Sequence, residues 1–130
     1  MTVALIGQKG GRVTKPIPTE DEEQKTVFSW AAYFPKLKWM HHISNESKVP
    51  VQYRVKLKAM GLKSGVADIF LPLPRNGYHG LDIEMKRTKG SKTSDIQKEF
   101  IEDMNKEGYK AVICKGAGEA IETIKKYMEE

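Results

Sequence analysis

Three side chains pose the chemical question: Asp68, Glu84 and Lys86. Glu84 and Lys86 stand two apart in "LDIEMK", where Leu81, Ile83 and Met85 alternate with Asp82, Glu84 and Lys86. A period of two is the pattern of a β-strand with one apolar face, and it puts the charged groups together on the other. Asp68 is a lone acid in the apolar run "GVADIFLP", and burying a carboxylate is costly unless something positive meets it. If the two runs pair as a hairpin, Asp68 sits near Glu84. Two converging carboxylates repel, and a divalent cation relieves the repulsion. Mg²⁺ suits such a site, since it takes a few carboxylates and fills its shell with waters and phosphate oxygens. A cation so held lowers the pKa of a bound water and stabilises charge on a phosphodiester. An amine on the same face would orient the attacking hydroxide or neutralise charge at phosphorus. A solvated strand face is the cheaper account of Glu84 and Lys86, and Asp68 is what argues against it.

The elements that must position these groups follow from local pattern. "PTEDEEQKTVFSWAAYF" predicts a helix, with Thr19 and Glu22 forming a capping box and four acids at the positive end of the helix dipole. Val27, Trp30, Ala31 and Phe34 share its apolar face, and Pro35 stops it. "KLKWMHHIS" alternates around Leu37, Trp39, His41 and Ile43 and reads as a strand. "VQYRVKLKAMG" reads as a helix with Val51, Val55 and Ala59 on its apolar side, Arg54, Lys56 and Lys58 opposite, and Gly61 as C-cap. "VADIFLPLP" is a strand limited by Pro72 and Pro74, and "RNGYHG" is a turn. After the "LDIEMK" strand comes a helix over "KTSDIQKEFIEDMNKEG", with Ile96, Phe100 and Met104 facing the core and Gly108 ending it. "YKAVICKG" is nearly all apolar, as a central, doubly covered strand is, and a helix over Ala117–Met128 follows with Ala120, Ile124 and Tyr127 inward. Strand, helix, strand from Leu81 to Cys114 forms a βαβ crossover, which makes the two strands parallel neighbours. The expectation is one α/β domain over residues 19–130, preceded by an arm, residues 1–18, with a short strand near Thr2–Ile6.

Composition narrows the class. Of 130 residues, 39% are hydrophobic and 30% charged, ordinary values for a globular domain with its own core. A single cysteine, Cys114, excludes an intrachain disulfide framework and reads as a small buried hydrophobe. No Cys/His cluster points to structural zinc. The apolar runs fall far short of a membrane span and the first residues do not read as a signal peptide, so a cytoplasmic protein without a membrane partner is expected. The net charge of +5 is uneven: Lys36 to Lys98 holds 13 basic against 5 acidic residues, while residues 99–130 hold 5 against 8. A basic middle beside an acidic tail fits a surface that meets a polyphosphate, with DNA the expected partner. Lys56, Lys58, Lys63, Arg87, Lys89 and Lys92 are candidate phosphate contacts. Adjacent strand residues face opposite ways, so His41 and His42 read as backbone contacts or packing rather than a shared metal site. Trp30 and Trp39 read as core, and Asp82 as structural.

The flanking residues carry a resemblance. "GVAD" at Gly65–Asp68 followed by "IEMK" at Ile83–Lys86 resembles the PD-(D/E)xK nuclease motif. More narrowly, "HHISNE", "VKLKAMGLKSGVADIFLP", "YHGLDIEMKR", "DIQKEFIEDMNKEGYKAVICKG" and "EAIETIKKYM" resemble, in order, the VRR-NUC family of virus-type replication-repair nucleases. Ala67 stands where that family often has proline, at a position that shapes the turn and ligates nothing. The resemblance implies a restriction-endonuclease-like core, a central mixed β-sheet flanked by helices, and a nuclease dependent on Mg²⁺ or Mn²⁺. It implies Asp68 and Glu84 as metal ligands with the Met85 carbonyl as a further one, Lys86 as the catalytic lysine, and Gln97 in support. Ser94 and Gln97 also have capping-box spacing, so the glutamine carries a purely structural reading beside the functional one. Glu20 fits the family's acid-x-x-x-Gln pattern with Gln24 as a further metal ligand, with Glu23 its rival. Asn45 matches an asparagine near the DNA path, and His42 joins it among the DNA contacts.

Compact stand-alone members of the family look like phage-encoded homodimers that act on branched DNA such as Holliday junctions in replication, recombination and repair. Two-fold symmetry would present two sites to two strands. The alternatives are a non-catalytic DNA-binding module on a nuclease fold, a flap nuclease, or a sequence-specific restriction enzyme. Asp68, Glu84 and Lys86 together disfavour the first, and the lack of a visible specificity module disfavours the last.

Overall fold

In the computed structural model the described residues are 16–44 and 49–129; the strand expected near Thr2–Ile6, and Asn45, lie outside them. Helix α1 spans Glu20–Ala31 and opens with the expected capping box: the Glu22 N–H donates to the Thr19 hydroxyl at 3.1 Å and the Thr19 N–H to the Glu22 carboxylate at 2.8 Å. The expected strand from Leu37 is not one. Pro35, whose fixed φ suits the first position of a helical turn, starts a 3₁₀ turn at Pro35–Leu37, and only His41–His42 form strand β1. That turn changes which side chains go inside. Leu37 and Met40, three apart, are buried, whereas Trp39, expected in the core, is 63% exposed.

Helix α2, Val51–Ala59, forms as expected and ends ahead of Gly61 at φ 108°. Its expected apolar side does not bury. Val51 and Val55 are exposed, no residue of α2 is buried, and Arg54 and Leu57 are its half-covered positions. A four-residue spacing makes a stripe, but the stripe needs a facing element, and none of the described elements packs closely on it.

Strand β2 is Ile69–Leu71 and strand β3 is Leu81–Lys86, antiparallel in the register Ile69↔Ile83, Phe70↔Asp82 and Leu71↔Leu81. Between them Asn76 (φ 51°) and Gly77 (φ 85°) make the tight Asn-Gly turn, which needs two left-handed residues in succession. Helix α3, Asp95–Lys106, crosses to strand β4, Lys110–Lys115, which lies parallel to β3, and helix α4, Ala117–Met128, closes the fold. The sheet order is β1-β2-β3-β4, so β4 ends the described sheet rather than standing at its centre. Its apolar run has another cause: α3 packs on one face and α4 on the other. Side chains close its open edge, with Asn105 bonding both the N–H and the C=O of Ala111 and Glu119 accepting the Lys115 N–H.

One layer holds the apolar core. Ile69, Leu71, Leu81, Ile83 and Met85 point from the sheet to Val27 and Ala31 of α1 and to Ala120, Ile124 and Tyr127 of α4, all buried. At the α3 end the expectation was partly wrong: Ile96 is 46% exposed and no α3 residue is fully buried. The chain thus adopts the α/β architecture that the resemblance implied, a mixed sheet with helices on both faces.

Candidate functional site

Every residue of β3 is buried, the charged ones included: Glu84 is 3% exposed and Lys86 6%. The alternation therefore describes two buried faces rather than one buried and one wet. Taking the β2–β3 register one step past Ile69↔Ile83 sets Asp68 against Glu84. Asp68 is fixed from several directions. One carboxylate oxygen accepts the Met85 N–H at 2.8 Å, and its main-chain carbonyl accepts the Ile43 N–H at 2.8 Å and His42 Nδ1 at 2.9 Å. His41 likewise bonds a backbone oxygen, that of Trp39, so both histidines make the backbone contacts expected of them.

The main chain of β3 adds an acceptor. The carbonyls of Gly80 and Lys86 accept N–H groups at the two ends of β4, so the even-numbered residues turn their main-chain groups to that side. Met85 is out of phase and turns its N–H and C=O the other way, toward Asp68.

Burial raises the Glu84 carboxyl from 4.5 to about 8, and the carboxylate of Asp68 pushes the same way; Lys86 pulls against both without prevailing, and Glu20 adds a smaller push upward. The metal-free site therefore favours the protonated form of Glu84 well above the usual carboxylate range. Asp82, farther along the same face, is raised to about 6 by burial.

The Lys86 ammonium donates to the Lys92 carbonyl at 2.9 Å and to Gln97 Oε1 at 3.0 Å, and stands 3.7 Å from Glu84 Oε2. Gln97 turns its amide nitrogen to the same Glu84 oxygen at 2.9 Å. Its carbonyl oxygen also accepts the Ser94 N–H, while Ser94 Oγ accepts the Gln97 N–H. The two readings of this glutamine are thus one arrangement, a capping box that starts α3 and bridges Lys86 to Glu84.

The first helix separates its two candidate acids. Glu23 accepts the Ala117 N–H at 3.0 Å and so ties α1 to the start of α4. The charge of Glu20 is felt at Glu84, and the Ser91 hydroxyl donates to its carboxylate at 3.4 Å. Ser91 and the Lys92 carbonyl are site groups that local pattern missed. A hydroxyl whose partner lies 71 residues away leaves no periodicity to read.

Of the cationic candidates, Lys89 and Lys92 ride the loop after β3, Lys56 and Lys58 the exposed helix α2, and Lys63 the segment leading to Asp68. Arg87 is half-buried and donates to the Ile17 carbonyl at 3.3 Å.

No trio of His, Cys, Asp or Glu among the described residues is spaced to hold a metal unaided. The oxygen groups on this face are Asp68, Glu84 and a main-chain carbonyl, with the charge of Glu20 felt at Glu84. All are hard oxygens, and burial together with the Asp68 carboxylate raises the cost of ionising Glu84 with no cation present. That set fits Mg²⁺ or Mn²⁺, with water and phosphate completing the shell, and does not suit zinc. An apolar hollow of about 560 Å³, lined by Trp30, Phe34, Leu37, Ile124 and Met128, contains none of these groups.

The VRR-NUC domain matches residues 11–118. The chain belongs to the VRR-NUC family. A solved structure described as a VRR_NUC domain protein is 36% identical, superposes with a TM-score of 0.74, and the match covers 87% of this chain and 90% of that one. A search of curated proteins gave no match. Members of the VRR-NUC family are nucleases, and membership gives this chain a nuclease-type, DNA-processing fold. Among the described residues of this VRR-NUC domain, no helix is long and apolar enough to cross a membrane.

Proposed function

We propose that this VRR-NUC domain is a Mg²⁺- or Mn²⁺-dependent endodeoxyribonuclease that hydrolyses phosphodiester bonds in branched DNA, Holliday junctions among them, as a homodimer. The observation that supports this best is Lys86. A buried ammonium is pinned by a main-chain carbonyl and by Gln97, 3.7 Å from Glu84, on the face that also carries Asp68. Asp68, Glu84 and the Met85 carbonyl would hold the cation, with Glu20 completing the set. When bound, the cation supplies a lowered pKa for a coordinated water and a positive charge at the scissile phosphate.

The rest of the chemistry belongs to the chain. Glu84 would ligate as the carboxylate, the form that the neighbouring Lys86 ammonium favours. The rigid partners of Asp68 keep its carboxylate aimed. Lys86 cannot swing to solvent; it offers its remaining donor capacity to the attacking water or to a phosphoryl oxygen, where it offsets developing negative charge. Gln97 sets the Lys86–Glu84 spacing, so that the ammonium neutralises phosphate rather than collapsing onto the carboxylate. Lys89, Lys92 and Arg87 beside the site, with Lys56, Lys58, Lys63, His42 and Asn45, are assigned to backbone contacts on the DNA.

Linear duplex, a flap and a four-way junction, each incubated with the pure protein and Mg²⁺, Mn²⁺ or chelator, test the reading. Cleavage should require metal, favour the branched substrates and give paired symmetric nicks on the junction. Lys86→Ala should bind DNA without cutting it. A wild-type protein that binds every substrate and cuts none in either metal would instead be a binding module on a nuclease fold.

A further inference from the structure

Helix α2 is an excursion that the apolar core does not account for. The chain leaves the sheet after β1 and returns at Asp68, and the two roots are tied together, the Ile43 N–H donating to the Asp68 carbonyl at 2.8 Å. Between those roots α2 has no buried residue, and no described element packs closely on it. Its C-terminal end is nonetheless anchored beside the site. The Leu62 N–H donates to the Leu57 carbonyl at 2.9 Å, which holds Leu62 on the last turn. Gly65 follows within at most about 11 Å of chain. It lies so close to α3 that a Cβ there would stand 2.6 Å from the Ile96 side chain. Ile96 directly precedes Gln97, the glutamine that bridges Lys86 and Glu84. Helix α2 thus projects from the end of the sheet that carries the site.

The half-covered side of α2 is Arg54 and Leu57, with the arginine Nε turned back to the Val49 carbonyl at 3.0 Å. The outward row is Gln52, Val55, Lys56 and Ala59, neighbours three and four apart on the helix surface. All four are exposed, Val55 to 81%. The charge around them has one sign: from Val49 to Ala67 there are four cations and no acid. That surround complements DNA. A helix that only gripped phosphates would carry cations along its outer row, whereas this one carries an amide and two small apolar groups beside a single lysine. Those are groups that read base edges. Glutamine pairs with adenine, and small apolar side chains meet the thymine methyl, in a major groove wide enough to admit a helix. Flanking lysines then reach the phosphates. We propose that α2 lies in the major groove of the duplex arm beside the cut, where Gln52, Val55 and Ala59 give the protein a preference for sequence. This inference rests on the nuclease reading and goes beyond it, since that reading gives α2 backbone contacts alone.

The test selects from four-way junctions whose arms carry randomised base pairs, bound by the full-length chain in the inactivating Lys86→Ala background. The bound fraction should show a preference over about three neighbouring base pairs at a fixed distance from the branch. Uracil in place of a preferred thymine, or 7-deazaadenine in place of a preferred adenine, removes one major-groove group and should weaken binding about tenfold. Both probes alter the DNA alone, so the folding of variants does not enter. Gln52→Ala and Val55→Ser should each flatten the preference about tenfold at their own base pairs, whereas Lys56→Ala should weaken every sequence alike. A bound fraction with no preference, or a preference that survives the combined Gln52→Ala and Val55→Ser variant, would overturn the groove assignment. Metal-dependent cutting of a fixed-sequence junction by the wild-type chain is scored separately. Cutting without a sequence preference would sink the groove assignment and leave the nuclease reading standing. A preference lost in the α2 variants, with no cutting in either metal, would do the reverse.

Discussion

The two faces of β3 are made by the same six residues and are equally hidden from water, yet they do opposite things to the molecule. Leu81, Ile83 and Met85 leave water for close contact with α1 and α4, a transfer that stabilises the fold by about 1.5–3 kcal/mol per large side chain. Asp82, Glu84 and Lys86 are just as buried, and for them burial is a cost. Two carboxyls are driven above their ordinary range, and the amine needs two oxygen acceptors and a neighbouring acid to stay. Burial by itself therefore says little about what a residue is for. The apolar face makes the sheet rigid, and the polar face uses that rigidity to hold charges at separations water would not tolerate.

Substitutions confined to one face separate stability from chemistry. Lys86→Met keeps length and bulk while removing the charge. Cleavage should fall on the order of 10³-fold, while the melting temperature of the metal-free protein changes little. Ile83→Ala is the converse, losing about 2–5 kcal/mol of stability in denaturant titrations through the cavity it leaves. If the lysine variant unfolds readily, or the isoleucine variant loses only activity, the division between the faces is wrong.

Next in size is a pH effect whose sign follows from Glu84. Its carboxyl ionises near 4.5 when the chain is unfolded and near 8 in the metal-free fold. Between those values unfolding releases a proton, so the stability this group contributes is complete below pH 4.5 and is lost as pH rises toward 8. Thermal melts in chelator should decline across that window, Glu84→Gln should flatten the decline, and Mg²⁺ or Mn²⁺ should reverse it for the wild type. A melt curve that rises from pH 5 to 8 in chelator would contradict the assignment.

Gln97 joins structure to chemistry, so Gln97→Ala should show in both readouts. About 1 kcal/mol of stability should go with the α3 cap, and activity or metal affinity should drop about 10- to 100-fold. Smallest of all, Lys89→Ala should leave the rate at saturating DNA unchanged and lower the slope of log affinity against log salt by about 0.9, one phosphate contact's worth.

Particular elements mark how far local pattern could be read. The capping boxes at Thr19 and Ser94, the Asn-Gly turn and the alternation of β3 are contacts within a few residues, and each appears where the spacing placed it. Trp39, the apolar stripe of α2 and the position of β4 were misread for one shared reason. Whether an apolar side chain is covered depends on which element arrives from elsewhere in the chain, and periodicity carries no word of that. The 3₁₀ turn at Pro35 rotated Trp39 outward, no described element packs closely on α2, and β4 owes its apolar run to the helices packed against it.

Local spacing was enough for the four helices, the strands at Ile69, Leu81 and Lys110, the parallel crossover and the identity of the charged groups, because these rest on backbone sterics and on periodicity within a single element. The packed chain settled that Asp68 stands against Glu84, that Gln97 bridges Glu84 and Lys86, and that Glu23 secures α4 while the charge of Glu20 is felt at Glu84. Convergence of that kind is set by the register of β2 on β3 and by the packing of α1 and α3 around them. Long-range geometry of this sort has no period for a linear pattern to carry.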